Sequence, residues 1–182
     1  MMHNDGKIAG HGSVLHKTWV SWAPRLELYL RSFSGLRAHE REDVLQEVMV
    51  ALWRDGPESE EAIKPWIYRV TRNRAIDALR QAKRSKAREH SLPNGPAALL
   101  DQAPAAYPNP EEAALGAEDT SFVRNFLADV EDRDREILHL AFAEGMAYAR
   151  IAELLCLPIG TVKWRVATLK ASLAKRYRKE FT

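Results

Sequence analysis

A chain of 182 residues is long enough for one ordinary domain or two small ones. A hydrophobic content of 46% with 29% charged residues suits a folded protein with a real core, and a net charge of only +2 says little about partners by itself. The single cysteine, Cys156, excludes an intramolecular disulfide and a cysteine-based zinc site, and no run is long and apolar enough to span a membrane.

Taken in chain order, residues 1–12 are rich in Gly, His and Asn and read as a disordered tail without the apolar h-region of a secretory signal, so a cytoplasmic protein is expected. A helical pattern runs over residues 14–33, with Trp19, Trp22, Leu26 and Leu30 three or four apart. Pro24 interrupts it and Ser34-Gly35 ends it. Residues 41–53 predict a strongly amphipathic helix: Val44, Leu45, Val48, Met49 and Leu52 share one side, and Glu42, Asp43, Gln46 and Glu47 the other. Asp55-Gly56-Pro57 stops it. A third helix extends to about Lys86 with Ile63, Trp66, Ile67, Val70, Ile76 and Leu79 on its apolar side. Pro65 belongs in a first turn, which sets the start near Ile63.

Pro93, Pro96, Pro104, Pro108 and Pro110 forbid a long helix over residues 91–110, which reads as a linker. Helices are predicted over 111–129, 133–143, 148–155 and 159–178. No alternating strand pattern occurs, so the expected fold is all-α: two small helical bundles joined by a flexible, acidic, Pro-rich linker. Charge follows the same division. Lys64, Arg69, Arg72, Arg74, Arg80, Lys83, Arg84, Lys86 and Arg88 make a basic block around Asp77. The linker region carries Glu89, Asp101, Glu111, Glu112, Glu118 and Asp119 with no Lys or Arg. The C-terminal stretch is basic again, through Arg150, Lys163, Arg165, Lys170, Lys175, Arg176, Arg178 and Lys179. Two basic blocks with interleaved aromatics suit a polyanion.

The segment from Tyr148 to Arg165 has the layout of a helix-turn-helix, whose second helix enters the DNA major groove. Ile151, Leu154 and Leu155 pack inward from the first helix, Leu157 fills the turn, and Ile159, Val162, Val166, Leu169 and Leu173 form the stripe of the second. The opposite side shows Thr161, Lys163, Trp164, Arg165, Ala167, Thr168 and Lys170. Thr161 and the first-turn amides can meet a phosphate, and Lys or Arg can reach guanine edges or phosphates. A helical hairpin with a basic surface is the plainer reading of the same residues.

Two upstream motifs narrow the choice. One is Glu42-Asp43 followed by Gln46-Glu47 and Trp53. The other is Trp66, Tyr68-Arg69, Asn73, Asp77 and Arg80. With the segment that opens at Glu144-Gly145 and closes on Pro158-Ile159-Gly160-Thr161-Val162-Lys163-Trp164-Arg165, the chain closely resembles bacterial RNA polymerase sigma factors of the extracytoplasmic-function (ECF) class of the sigma-70 family. The resemblance covers about residues 15–90 and 120–178. It implies a region 2 domain at 13–90, a linker at 91–110 and a region 4 domain at 111–182.

By position, the resemblance implies that Asp43, Gln46 and Glu47 dock on the β′ clamp helices of core polymerase. It implies that Tyr68, Arg69, Arg72, Asn73, Arg74, Arg80 and Lys83 bind the promoter −10 region, holding the displaced strand. The loop 55–61, acidic here and containing Pro57, stands where the family captures a flipped base. Thr161, Lys163, Trp164, Arg165, Ala167 and Thr168 fall where the family reads the −35 element. Two residues depart from the pattern: Trp164 replaces a residue that is often small, and Cys156 a turn position that is often Gly. Cys156 is expected to be a packed turn residue, at a cost of about 1 kcal/mol if its φ is positive. The partners implied are core polymerase through its β′ clamp helices and β flap, promoter DNA and an anti-sigma factor. No cofactor, metal site, catalytic residue or membrane insertion is implied.

Two rival classes remain. A helix-turn-helix regulator acting without polymerase would account for the C-terminal half but not for the 42–53 helix. An enzyme on nucleic acid lacks support, because no carboxylate cluster, His–Cys set or Gly-rich phosphate loop is present. His3, His11, His16, His39, His90 and His139 are scattered and read as surface or tail residues. In the resembled family the linker follows the RNA exit path, where carboxylates suit a basic channel. Replacing Asp101, Glu111 and Glu112 together by Lys should therefore weaken assembly with core polymerase in a binding titration. An unchanged affinity would remove that role from the linker.

Overall fold

A computed structural model describes residues 6–57, 59–89 and 117–181. Within them lie seven α-helices and no strand, the all-α class that the periodicity predicts. The chain divides into two compact units, Met1–Gly95 and Pro96–Thr182. The predicted linker at 91–110, with its acidic residues, lies outside the described residues, as do residues 1–5 of the predicted tail.

The first unit contains α1 (Gly6–Leu30), α2 (Ala38–Asp55) and α3 (Glu60–Glu89). Helix α1 starts earlier than its apolar pattern does, so residues 6–12 are helical and not a disordered tail. Once Trp22, Leu26, Tyr29 and Leu30 are buried, each added turn only propagates an existing helix, which is far easier than nucleating one. Pro24 sits inside it. The carbonyl that Pro24 leaves without a donor is that of Val20, which is exposed to solvent and so reaches water. The helix ends in tighter turns, with Ser32 donating to the Tyr29 carbonyl at 2.9 Å and Phe33 to that of Leu30 at 3.1 Å.

Helix α2 begins one turn before the predicted start because Glu40 reaches back. The Arg37 backbone N–H donates to Glu40 Oε2 at 2.7 Å, and Arg37 Nη2 donates to Oε1 at 2.9 Å. Burial raises the Glu40 pKa, but these bonds and the charges of Arg37 and His39 outweigh it and hold the carboxyl below its ordinary value. Helix α3 also begins earlier than Ile63. Ser59 is its N-cap: the Ala62 N–H meets Ser59 Oγ at 3.3 Å, and Glu61 favours the positive end of the helix dipole. Pro65 then falls in the second turn, where the carbonyl it leaves open belongs to exposed Glu61. The loop expected at 55–61 is correspondingly shorter.

Four aromatic rings set the core of this unit. Tyr68 of α3 stands edge-on to Tyr29 at 5.0 Å and to Trp22 at 6.1 Å, both from α1, and Phe33 stands edge-on to Tyr29 at 5.6 Å. Tyr68 is fully buried. Its predicted place among the −10 contacts is therefore corrected: the tyrosine holds α3 against α1 and offers no face to a base. Thr71, also fully buried, donates its hydroxyl to the Ile67 carbonyl at 2.8 Å. Glu27 lies between Arg31 at 3.6 Å and Arg41 at 3.2 Å, tying α1 to α2. The connection between those helices lies close on α3, since a Cβ at Gly35 would come within 2.7 Å of Leu79 Cδ2.

The second unit contains α4 (Ala117–Ala128), α5 (Asp132–Leu138), α6 (Tyr148–Leu155) and α7 (Ile159–Phe181), with a π-helical turn (His139–Ala143) prolonging α5. Phe122, Phe126, Ile137, Leu140, Ile151, Leu155, Val162 and Val166 form its core. Ile159, expected on the apolar stripe of α7, is exposed instead: it occupies the first residue of the helix, ahead of the turn that packs. His139 also differs from its expected surface place. The π turn directs it inward, with Nε2 at 3.8 Å from Oε1 of buried Glu144. The far half of α7 packs on α4, where Tyr177 stands edge-on to Phe122 at 5.3 Å and Arg176 pairs with Asp129 at 2.5 Å.

Between α6 and α7 the chain turns at Cys156, whose φ of 52° and ψ of 50° are left-handed. The Leu157 N–H donates to the Ala152 carbonyl at 2.9 Å and the Cys156 N–H to that of Glu153 at 3.3 Å. That pair of bonds is a Schellman cap, which prefers Gly at this position. Cys156 is exposed, not packed as expected, so its side chain does little to offset the strain.

Two stability measurements follow. Cys156→Gly should raise stability by about 1 kcal/mol, or roughly 4–8 °C in the melting of a unit this size, provided the left-handed strain exceeds the extra chain entropy of Gly. A lower melting temperature would show that the strain is small. Tyr68→Ala should lower stability by about 3–5 kcal/mol in denaturant titration, as for other fully buried aromatics. A loss under ~0.5 kcal/mol, the range for surface positions, would return Tyr68 to the surface.

Candidate nucleic-acid and protein interfaces

The outward face of α2 is in two parts. Its first half presents Asp43, Gln46 and Glu47, all exposed. Its second half presents Met49, Val50 and Trp53, with Trp53 69% exposed. Val44, Val48, Ala51 and Leu52 take the inward side. Met49, expected on the packed side, lies on the outward one. The apolar half is hidden in the sequence because one large residue every three or four positions also describes a core stripe. The signal available was Val50 and Trp53, which lie off the stripe of Val44, Val48 and Leu52. An exposed apolar cluster beside an acidic-amide one on a rigid helix is the composition of a protein-binding surface.

Helix α3 presents the basic block. Arg69, Asn73, Arg74, Arg80 and Lys83 are exposed and Arg72 is half-buried, while Tyr68, Thr71 and Ala75 face the core. Arg74 Nε lies 3.4 Å from Glu47 Oε2 of α2, so the acidic and basic surfaces adjoin. Arg80 pairs with Asp77 at 3.3 Å one turn away. Gly56 marks the entry to the α2–α3 connection: its N–H caps the Leu52 carbonyl at 3.0 Å, and a Cβ there would stand 2.3 Å from that carbonyl oxygen.

In the second unit α6 and α7 form the expected helix-turn-helix. Lys163, Trp164, Ala167 and Thr168 lie together on the open side of α7, and Thr161 is half-buried at its front. Trp164 is 65% exposed, so it is not a core residue. Lys170, on the next turn, has its ammonium 4.8 Å from the centre of the Phe142 ring. Arg165 parts from the group: its Nη1 donates to Asp134 Oδ1 on α5 at 2.5 Å. Among the described residues no cluster of His, Cys, Asp and Glu could hold a metal ion, and no helix is long and apolar enough to cross a membrane.

Residues 19–85 match the family model of sigma-70 region 2, the span of α1, α2 and α3 that carries the first two surfaces. The chain is 28% identical to the ECF RNA polymerase sigma factor RpoE of Cereibacter sphaeroides over 148 residues, 80% of this chain and 76% of that protein. It is 25% identical to the ECF RNA polymerase sigma factor SigW of Bacillus subtilis, over 77% of this chain and 76% of the relative. Its fold is similar to that of the sigma factor RpoE from Bartonella quintana, solved in complex with the anti-sigma factor NepR. The TM-score is 0.63 at 23% identity, over 90% of this chain and 96% of that one. With a region 2 helical unit, a following helix-turn-helix unit and relatives matched across both, the chain is similar over most of its length to RNA polymerase sigma factors of the ECF class.

Proposed function

We propose that the chain docks on core RNA polymerase through the outward face of α2, engages the −10 region through the basic side of α3 and reads the −35 element through the front of α7. The observation that carries the proposal is the adjacency in the first unit. An acidic and apolar face on α2 adjoins a basic face on α3 through Glu47 and Arg74. A plain duplex-binding regulator has no need of the first.

Each surface has a physical task. Asp43, Gln46 and Glu47 complement an Arg-rich partner such as the β′ clamp helices, and Trp53 with Met49 and Val50 supplies the desolvated centre that charge alone lacks. Arg69, Arg72, Asn73, Arg74, Arg80 and Lys83 hold the backbone of a displaced strand. In the second unit, Lys163, Trp164, Ala167 and Thr168 approach base edges and sugars in the major groove while Thr161 meets a phosphate. The β flap is the proposed polymerase contact of that unit, and the chain acts in the cytoplasm, where polymerase works. Bartonella RpoE was solved with an anti-sigma factor, and a similar inhibitor covering these faces is proposed here. The role is regulatory, with no reaction catalysed by the chain itself.

Run-off transcription with purified core polymerase tests the reading. The chain should direct initiation from a promoter carrying suitable −35 and −10 elements, and Glu47→Lys should reduce it by weakening core binding. Duplex binding with no polymerase-dependent initiation would leave a regulator without polymerase. Trp164→Ser should move the preferred sequence in a −35 library, with changes on the order of tenfold at one position, the usual size for a lost base contact. An unchanged preference would make Trp164 a bystander of reading.

A further inference from the structure

Arg165 belongs by sequence to the groove-facing front of α7, yet its guanidinium is turned toward α5. The Arg165 and Asp134 side chains are 28% and 18% exposed and meet at 2.5 Å. Arg165 Nε is buried, out of reach of a DNA strand. One residue before Asp134, Arg133 Nη2 donates to the Leu155 carbonyl at 3.2 Å. Leu155 is the last residue of α6, and its carbonyl is one of those a helix end leaves without an intrahelical donor. Consecutive residues of α5 thus grip the end of the first helix and the front of the second.

Apolar packing alone would fix that geometry poorly. Burial of Val162 and Val166 resists separation of α7 from the core, but hydrophobic contact is non-directional and tolerates rotation about the helix axis. Side-chain tips stand ~6 Å from a helix axis, so a rotation of about 20° moves them by about 2 Å, more than a hydrogen bond to a base edge tolerates. A charge-assisted hydrogen bond is directional, and this one joins α7 to a different helix, 31 residues earlier in the chain.

We propose that Asp134, with Arg133 beside it, is a positioning residue for −35 recognition. It holds Arg165 so that α7 delivers Lys163, Trp164, Ala167 and Thr168 to the groove, and Arg165 itself reads no base and touches no phosphate. The proposal rests on the assignment of α7 to the −35 element made above.

The test uses the full chain with core polymerase and promoters varied at −35, titrated with salt. Asp134→Asn and Arg165→Gln should each weaken −35-dependent binding by a similar factor, on the order of threefold to tenfold, and the double variant should be no worse than the weaker single one. Base preference should stay as it is. The charge exchange Asp134→Arg with Arg165→Asp should recover part of the loss. The salt dependence should keep its slope in Arg165→Gln, whereas losing a phosphate contact lowers the slope by about 1. A shifted base preference, or a slope lowered by about 1 in Arg165→Gln while Asp134→Asn binds normally, would overturn the proposal and make Arg165 a DNA contact. Hydrogen exchange of the free chain decides the brace independently of DNA. The two single variants should speed exchange at the front of α7 non-additively, and additive effects would overturn the brace. A wild-type chain that ignores the −35 sequence would overturn the proposed function, with the exchange result still deciding the brace.

Discussion

The first unit depends on one aromatic contact, the edge of Tyr68 against Tyr29 and Trp22. Helix α3 is 30 residues long and strongly basic, and Ile63 and Ile67 turn one side of it inward. The buried tyrosine fixes that side against α1. With Tyr68 inside, the helical repeat of 3.6 residues brings Thr71 and Ala75 to the same side and turns Arg69, Asn73 and Arg74 out. The orientation of the basic surface is therefore set by buried residues that take no part in it. Thr71 can follow Tyr68 into the core only because its hydroxyl is satisfied within the helix by the Ile67 carbonyl.

The second unit meets the same problem with less apolar material. Its helix α7 is joined to α6 by a turn of a few residues and packs mainly through Val162 and Val166. Direction comes from polar groups instead. The Schellman bonds at Cys156 fix where α6 stops, and Arg133 and Asp134 hold the end of α6 and the front of α7 from α5. The far half of α7 is held separately by Tyr177 and Arg176 against α4. A helix held at its front and along its far half leaves Lys163, Trp164, Ala167 and Thr168 exposed between those contacts.

Much of this is legible in the sequence because it rests on short-range pattern. The helices, the helix-turn-helix and the acidic and basic faces follow from spacing and charge, which need no knowledge of neighbours. What the sequence misplaced depends on contacts distant in the chain. Tyr68 looks like a DNA-stacking residue among arginines, and only its approach to Trp22 and Tyr29 places it inside. Arg165 looks like its neighbours Lys163 and Trp164, and only Asp134 draws it aside. Met49 matches a core period, yet α2 is covered on one side alone, so the residue falls outside. The earlier starts of α2 and α3 have a local reason: Glu40 and Ser59 cap them, and Pro65 is tolerated in a second turn because the carbonyl it leaves open belongs to exposed Glu61.

The junction of the two surfaces on the first unit has a consequence for how they are used. Glu47 and Arg74 are each about half exposed, at 57% and 43%, and 3.4 Å apart. An ion pair so open to water contributes about 0.2–1 kcal/mol at most, so it orients both side chains without committing either. A partner that offers Glu47 a desolvated arginine, or Arg74 a phosphate, provides a stronger charge-assisted bond than the one it displaces. The grip of Asp134 on Arg165 is more buried and ties separate helices. On the proposed roles, one pair sits where side chains change partners, and the other where a helix must not turn. The difference in burial between them follows the difference in task.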